Sequence, residues 1–356
     1  MTLIIAEAGV NHNGSEKLAL ELVDAAVAAG VDIVKFQTFK ASKLVTASAK
    51  QADYQVKNTQ KVESQLSMLS RLELSYEFHH ELVNHCNQQG IEFLSTAFDE
   101  ESLAFLVNDL GLKKLKIPSG ELTNAPLVLQ HAQSGCDLIV STGMATLAEV
   151  ESALGVIAFG YLSQDVAPSV EAFQAAYSSV EGQALLKEKV TILHCTTEYP
   201  APMNDINLKA MDTLGAAFNL KVGYSDHSAG IEIPIAAVAR GALLIEKHFT
   251  LDKNMEGPDH KASLEPHELK AMTSAIRHVE LAIGDGVKGP RPSEIKNKAI
   301  ARKSLVAAKN IKEGELFCED NLQVKRPGDG LSPYCYWDLI GKVATASYQE
   351  GDLING

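Results

Sequence analysis

Eight short apolar or β-branched runs recur along the chain: TLIIAEAG, VDIVKFQTF, IEFLSTAFD, KKLKIPSGE, DLIVSTGM, VTILHCTTEYP, KVGYSDHS and ALLIEKHFT. Each ends in polar or glycine-containing sequence. Most are followed by a stretch with apolar residues three and four apart, the spacing of a helix with one buried face. Short strands alternating with helices over about 250 residues predict an α/β fold, a parallel (β/α)8 TIM barrel, whose functional groups stand at the C-terminal ends of the strands. The helices carry their own punctuation. SEKLALELVDAAVAAG opens with Ser15 as N-cap and closes on Gly30, and TLAEVESALGVIAFG opens with Thr146. Residues 40–75 and 160–188 are longer than a barrel connection needs, and both are expected to act as lids or substrate loops.

The barrel is expected to occupy residues 1–284. At GDGVKGPRPSEIKNK the texture changes, which predicts a linker over 285–300, and residues 301–356 read as a small module of short strands and turns. A net charge of -13 argues against nucleic acid or an anionic membrane as partner, since both reward clustered Lys and Arg. Any bound anion therefore needs a local pocket. The N-terminal MTLIIAEAGVNHNG lacks the basic stretch and apolar length of a signal peptide, and no run is long enough to span a bilayer, so the expected compartment is the cytoplasm. The 5 cysteines are scattered without CxxC spacing, which predicts free thiols rather than a disulfide framework or a zinc site.

Alternation along a strand tells which side chains share a face. Ile33, Lys35 and Gln37 share one parity, as do Gly223, Ser225 and His227, and Glu246 and His248. Strands seven and eight are neighbours in a barrel, so His227 and His248 can present two imidazoles to one point, a donor set suited to a divalent ion such as Mn²⁺. The other reading makes each a hydrogen-bonded core histidine. Lys35 and Lys116 follow apolar residues on barrel strands, where an unpaired ammonium is costly. Thr96, Ser119, Ser141 and Ser225 lie at similar depth, so together they make a phosphate or carboxylate pocket. Alternatively, either lysine snorkels to the rim.

Glu7 and Asp259 supply carboxylates able to act on a water or a sugar hydroxyl, Asp259 being equally readable as a helix cap or surface charge. Glu198 is a weaker candidate, and Tyr199 can simply pack. His12 either caps the first loop or touches substrate. His79, His80 and His85 read as bystanders on a surface helix.

These residues lie in strings that resemble the nonulosonate, or sialic acid, synthase family: AEAGVNHNG, KFQTF, STAFD, KIPSGE, STGMAT, LHCTTEYPAP, GYSDHS, IEKHFTLDK and GPDHKASLEP. KRPGDG follows in a tail that is similar to the family's antifreeze-protein-like (SAF) domain. The resemblance covers nearly the whole chain. It implies a condensation of phosphoenolpyruvate with an N-acylated mannosamine-type sugar, releasing phosphate. It also implies that His227 and His248 hold Mn²⁺ or Mg²⁺, and that Lys35, Thr96, Lys116, Ser119, Ser141 and Ser225 hold phosphoenolpyruvate. Glu7, Gln37, Tyr199 and Asp259 would surround the sugar and the attacking water. In the family's domain-swapped homodimers the small domain caps the partner's barrel, so Arg326 would meet the partner's sugar amide. Asp329 departs from the uncharged residue usual in that loop.

The first expectation for the product is N-acetylneuraminate, made from N-acetylmannosamine. The alternative is legionaminate, made from 2,4-diacetamido-2,4,6-trideoxymannose. A synthase of shorter keto sugar acids would instead need a second cationic pocket, and a glycan- or ice-binding tail on an inert barrel would leave Lys35 and Lys116 without a task.

Overall fold

The structure, a computed structural model, describes residues 1–162 and 165–355. It divides into two compact units, Met1–Gly284 and Asp285–Gly356. In the first, β1 (Leu3–Gly9), β2 (Ile33–Thr38), β3 (Glu92–Ala97), β4 (Lys114–Ile117), β5 (Asp137–Ser141), β6 (Val190–Cys195), β7 (Lys221–Asp226) and β8 (Leu244–His248) follow one another around a ring. The ring is closed by parallel pairing of β8 with β1, which confirms the TIM barrel.

Alternation within each strand builds the barrel. One parity, including Ile4, Val34 and Ile245, points outward into the helices, while Ile5, Ile33, Leu94, Ile139, Leu193 and Leu244 point inward and form an apolar plug. Burying each such side chain favours folding by roughly 1.5–3 kcal/mol. Strand β7 gives Gly223 at this level, because a Cβ there would come within 2.6 Å of Leu193 Cδ2 and 2.5 Å of the Leu244 carbonyl. Both expected caps are present. Leu18 N–H donates to Ser15 Oγ at 3.3 Å and Gly30 adopts φ 75°. Thr146 and Glu149 satisfy one another's N–H groups at the head of the helix Leu147–Leu162.

The two insertions part company. Residues 40–75 form short helices, Ala41–Leu44, Asp53–Thr59 and Gln65–Ser70, that pack Met68 and Leu72 onto Val10 and Phe39 at the strands' C-terminal end. The expectation that 160–188 covers the barrel mouth is overturned. That stretch leads from a helix back to β6, so it returns toward the strands' N-terminal end, and its helices Val170–Ser178 and Val180–Lys189 lie against Leu147–Leu162, with the Phe159 and Phe173 rings 5.2 Å apart. Its residues 163–164 lie outside the described residues. His79 is also corrected: it is fully buried, its ring bonded to Thr38 Oγ1 and to the Ser75 carbonyl. All five cysteines are free thiols.

In the second unit the stretch read as a linker carries a helix, Pro292–Ala301, which begins with proline in its first turn and with Arg291 N–H donating to Glu294 at 3.0 Å. Strands β9 (Ser304–Ala307) and β10 (Leu322–Lys325) pair antiparallel over a core that includes Leu305, Ile311, Phe317 and Ile354. Among the described residues no helix is long and apolar enough to cross a membrane.

Candidate active site

Two residues above the apolar plug, the inward positions turn polar. Register places Glu7 beside Lys35 and His248, Thr96 beside Lys116, and Ser225 beside Glu246. A pocket opens over this layer, and every residue expected at the site from β1 to the loop after β8 lines it: Glu7, Lys35, Gln37, Thr96, Lys116, Ser119, Ser141, Tyr199, Ser225, His227, His248 and Asp259. Arg326 belongs to the second unit, where its Nε donates to the Ala301 carbonyl at 3.0 Å.

The lysines do not snorkel. Lys35 and Lys116 are each 3% exposed. Lys35 Nζ lies 2.6 Å from Glu7 Oε2 and 3.5 Å from Glu246 Oε2, and donates to Thr96 Oγ1 at 3.0 Å. Lys116 Nζ donates to Glu246 Oε1 at 3.1 Å, and Ser225 Oγ donates to the same oxygen at 2.8 Å. Burial alone would raise the Glu246 carboxyl's pKa, but Lys116 and Lys35 outweigh it and hold the group well below the usual carboxylate range. Ser141 Oγ is buried without a hydrogen-bond partner, an unused donor in the same layer. Gly143 brings its backbone against this wall: its N–H donates to Ser119 Oγ at 2.9 Å, and a Cβ would come within 2.4 Å of Thr197 Oγ1.

His227 and His248 converge as expected, their ring centroids 5.5 Å apart. His227 Nδ1 is 2.7 Å from the Thr196 carbonyl, which can only accept, so the proton is on Nδ1 and the lone pair on Nε2. Tyr199 Oη donates to that Nε2 at 3.2 Å, its ring 4.2 Å from that of His227. His248 Nδ1 is buried without a partner. Burial keeps both rings neutral at physiological pH, pushing His227 down to about 4 and His248 well below its ordinary value. Two neutral imidazoles, one with its tautomer fixed by a carbonyl, fit a divalent ion. Among the described residues no group of three His, Cys, Asp or Glu side chains is arranged to hold a metal. The remaining positions would therefore fall to water and substrate.

Asp259 is buried, and its side chain caps no helix, so the readings as cap or surface charge fall away. Burial first, and then the charge of Glu7, push its carboxyl up to about 7, where it can take or give a proton near neutrality. Gln37 donates to Glu7 Oε1 at 3.2 Å. Glu198 is exposed and lies off the pocket. His12 serves the first loop, accepting from Gly14 N–H at 3.0 Å. Sequence reasoning assigned no role to Glu246, whose inward parity was its only signal, nor to Tyr54, Cys195 and Thr197, which also line the pocket.

The NeuB family profile matches residues 22–288 and the SAF domain profile residues 302–355. The chain is 52% identical over 353 residues to an N,N'-diacetyllegionaminic acid synthase of Campylobacter jejuni, covering 99% of this chain and 98% of that one. It is 43% identical to a protein of the same name from Legionella pneumophila, covering 99% and 92%. A crystal structure of N-acetylneuraminic acid synthetase from Leptospira borgpetersenii in complex with citrate superposes with a TM-score of 0.66 at 31% identity, covering 83% of this chain and 90% of that one. A barrel of this register with its polar layer, matched along nearly its full length, belongs to the NeuB family of enzymes, here with a C-terminal SAF domain.

Proposed function

We propose that the protein condenses phosphoenolpyruvate with 2,4-diacetamido-2,4,6-trideoxymannose and water, giving N,N'-diacetyllegionaminate and phosphate. The observation that carries the reaction class is the buried layer of Lys35, Lys116 and hydroxyls directly beside two neutral, converging imidazoles. The choice of sugar rests on the relatives. The expectation of N-acetylneuraminate gives way to the alternative, because the protein that is half identical end to end is named for the legionaminate product.

In this reading Lys35, Lys116 and the hydroxyls of Thr96, Ser119, Ser141 and Ser225 hold the phosphate and carboxylate of phosphoenolpyruvate. The pairing of both lysines with Glu246 and Glu7 means that the incoming anion must share or displace carboxylates. His227 and His248 would hold Mn²⁺ or Mg²⁺, which would supply Lewis-acid polarisation of the open-chain aldehyde. Carbon three of the enol attacks that aldehyde, whose C=O π bond opens to an oxygen that takes up a proton and becomes the product's hydroxyl, while carbon two is left cationic. Glu7 or Asp259 orients the water that adds at carbon two and accepts its proton, and the tetrahedral species expels phosphate into the lysine pocket. Gln37 and Tyr199 bound the sugar. In the proposed homodimer, at work in the cytoplasm, the SAF unit of one copy closes the barrel of the other and Arg326 meets the sugar amide.

The test is phosphate release from phosphoenolpyruvate with Mn²⁺ and either 2,4-diacetamido-2,4,6-trideoxymannose or N-acetylmannosamine, with a chelator control. Faster turnover of the diacetamido sugar is expected, and preference for N-acetylmannosamine would return the assignment to N-acetylneuraminate.

A further inference from the structure

Behind the two imidazoles, on the outer face of the same strands, lies a pair of charges that the reaction leaves unused. Asp226 ends β7 one residue before His227, and Lys247 stands in β8 one residue before His248, so alternation turns each away from the pocket. The two are register partners, and Lys247 Nζ lies 2.6 Å from Asp226 Oδ2. Neither side chain has any exposure to solvent. Lys247 also donates to the Ser228 carbonyl, while Asp226 accepts from Ser228 N–H and Ser228 Oγ, each at 3.0 Å. These bonds tie β8 to the turn 226–228 that carries His227.

A buried ion pair is a weak source of stability, because the cost of desolvating both charges offsets their attraction, whereas it fixes geometry well when its remaining hydrogen bonds are satisfied. The two rings also differ in their own anchoring. The Thr196 carbonyl orients His227, but His248 Nδ1 has no hydrogen-bond partner, so that ring is placed by its strand and by packing against Tyr199 and His227 rather than by a hydrogen bond to Nδ1. We propose that Asp226 and Lys247 are positioning residues: their buried bridge sets the spacing of His227 and His248 and thereby the affinity for a divalent cation. The proposal rests on the metal-holding role given above to the two histidines.

Mn²⁺ binding measured by electron paramagnetic resonance tests it on full-length protein without turnover. The wild type is compared with His248→Ala and with the double variant Asp226→Asn/Lys247→Met, which removes both charges while keeping size. Wild type is expected to bind and His248→Ala to lose binding. The double variant should keep its melting temperature and circular dichroism, yet weaken Mn²⁺ by about 10- to 100-fold, the usual range for partners that orient metal ligands. Raising Mn²⁺ should restore its kcat, which a general loss of structure would not allow. Equal binding by wild type and His248→Ala would remove the metal role itself, and the proposal with it. Tight binding by wild type, loss in His248→Ala and wild-type affinity in the folded double variant would overturn the positioning role alone. If the double variant does not fold, Ser228→Ala decides: it removes one hydrogen bond from Asp226 and no charge, a several-fold weaker Mn²⁺ affinity is expected, and wild-type affinity overturns the proposal.

Discussion

The same strands build two layers inside the barrel, and the layers obey opposite rules. The lower, from Ile5 around to Leu244, packs six buried apolar side chains against one another, whereas the upper, two residues further along, buries Glu7, Lys35, Lys116 and Glu246 within hydrogen-bonding reach of one another. Apolar burial stabilises the fold outright. Buried charges at best compensate their own desolvation, so a layer of them two residues from the plug contributes little to stability and is the candidate for chemistry.

Substitutions should separate the layers, and the largest effect belongs to the upper. His248→Ala is expected to lower kcat/KM by about 10²- to 10³-fold, the scale seen when a group stabilising developing charge is lost, with the melting temperature nearly unchanged. A kinetic assay beside a thermal melt checks this, and near-normal turnover would remove the ring from the reaction. Lys116→Met should lower kcat/KM by about 10²-fold, mainly through a raised KM for phosphoenolpyruvate, and should also cost stability, since a buried Glu246 loses one of its two cations. A denaturation curve alongside the KM reads both.

Leu193→Ala should do the reverse. In the lower layer it is expected to cost about 2–5 kcal/mol in urea unfolding while leaving kcat near the wild-type value below the melting transition. A fall in kcat at full folding would show the layers to be coupled.

The last prediction separates burial from function. His131 lies in the helix Ala125–Gln133, outside both layers, and burial pushes it down to about 4 from 6.5. The unfolded chain therefore binds a proton there that the folded chain refuses. Stability present above pH 6.5 is lost as pH falls toward 4, by about 3 kcal/mol across that window, and His131→Leu should flatten this part of the stability profile.

Much of this was legible in the sequence because a strand's period of two is rigid. Once VDIVKFQTF is a barrel strand, Ile33 and Lys35 must point inward together, and Ser15 and Gly30 mark their helix by local chemistry alone. What escaped depends on contacts across the chain. The value of Glu246 lies in Lys116, 130 residues away, and the Asp226–Lys247 bridge looks in sequence like two polar residues at strand ends. The insertion at 160–188 was misplaced because length alone does not tell a strand-to-helix connection from a helix-to-strand one.

The most direct test of the upper layer as a metal and phosphoenolpyruvate site is anomalous diffraction at the manganese edge from crystals soaked with Mn²⁺ and phosphoenolpyruvate. One strong peak is expected within bonding distance of His227 Nε2 and the His248 ring, with the phosphate against Lys35 and Lys116. A peak elsewhere, or phosphoenolpyruvate bound away from those lysines, would contradict it.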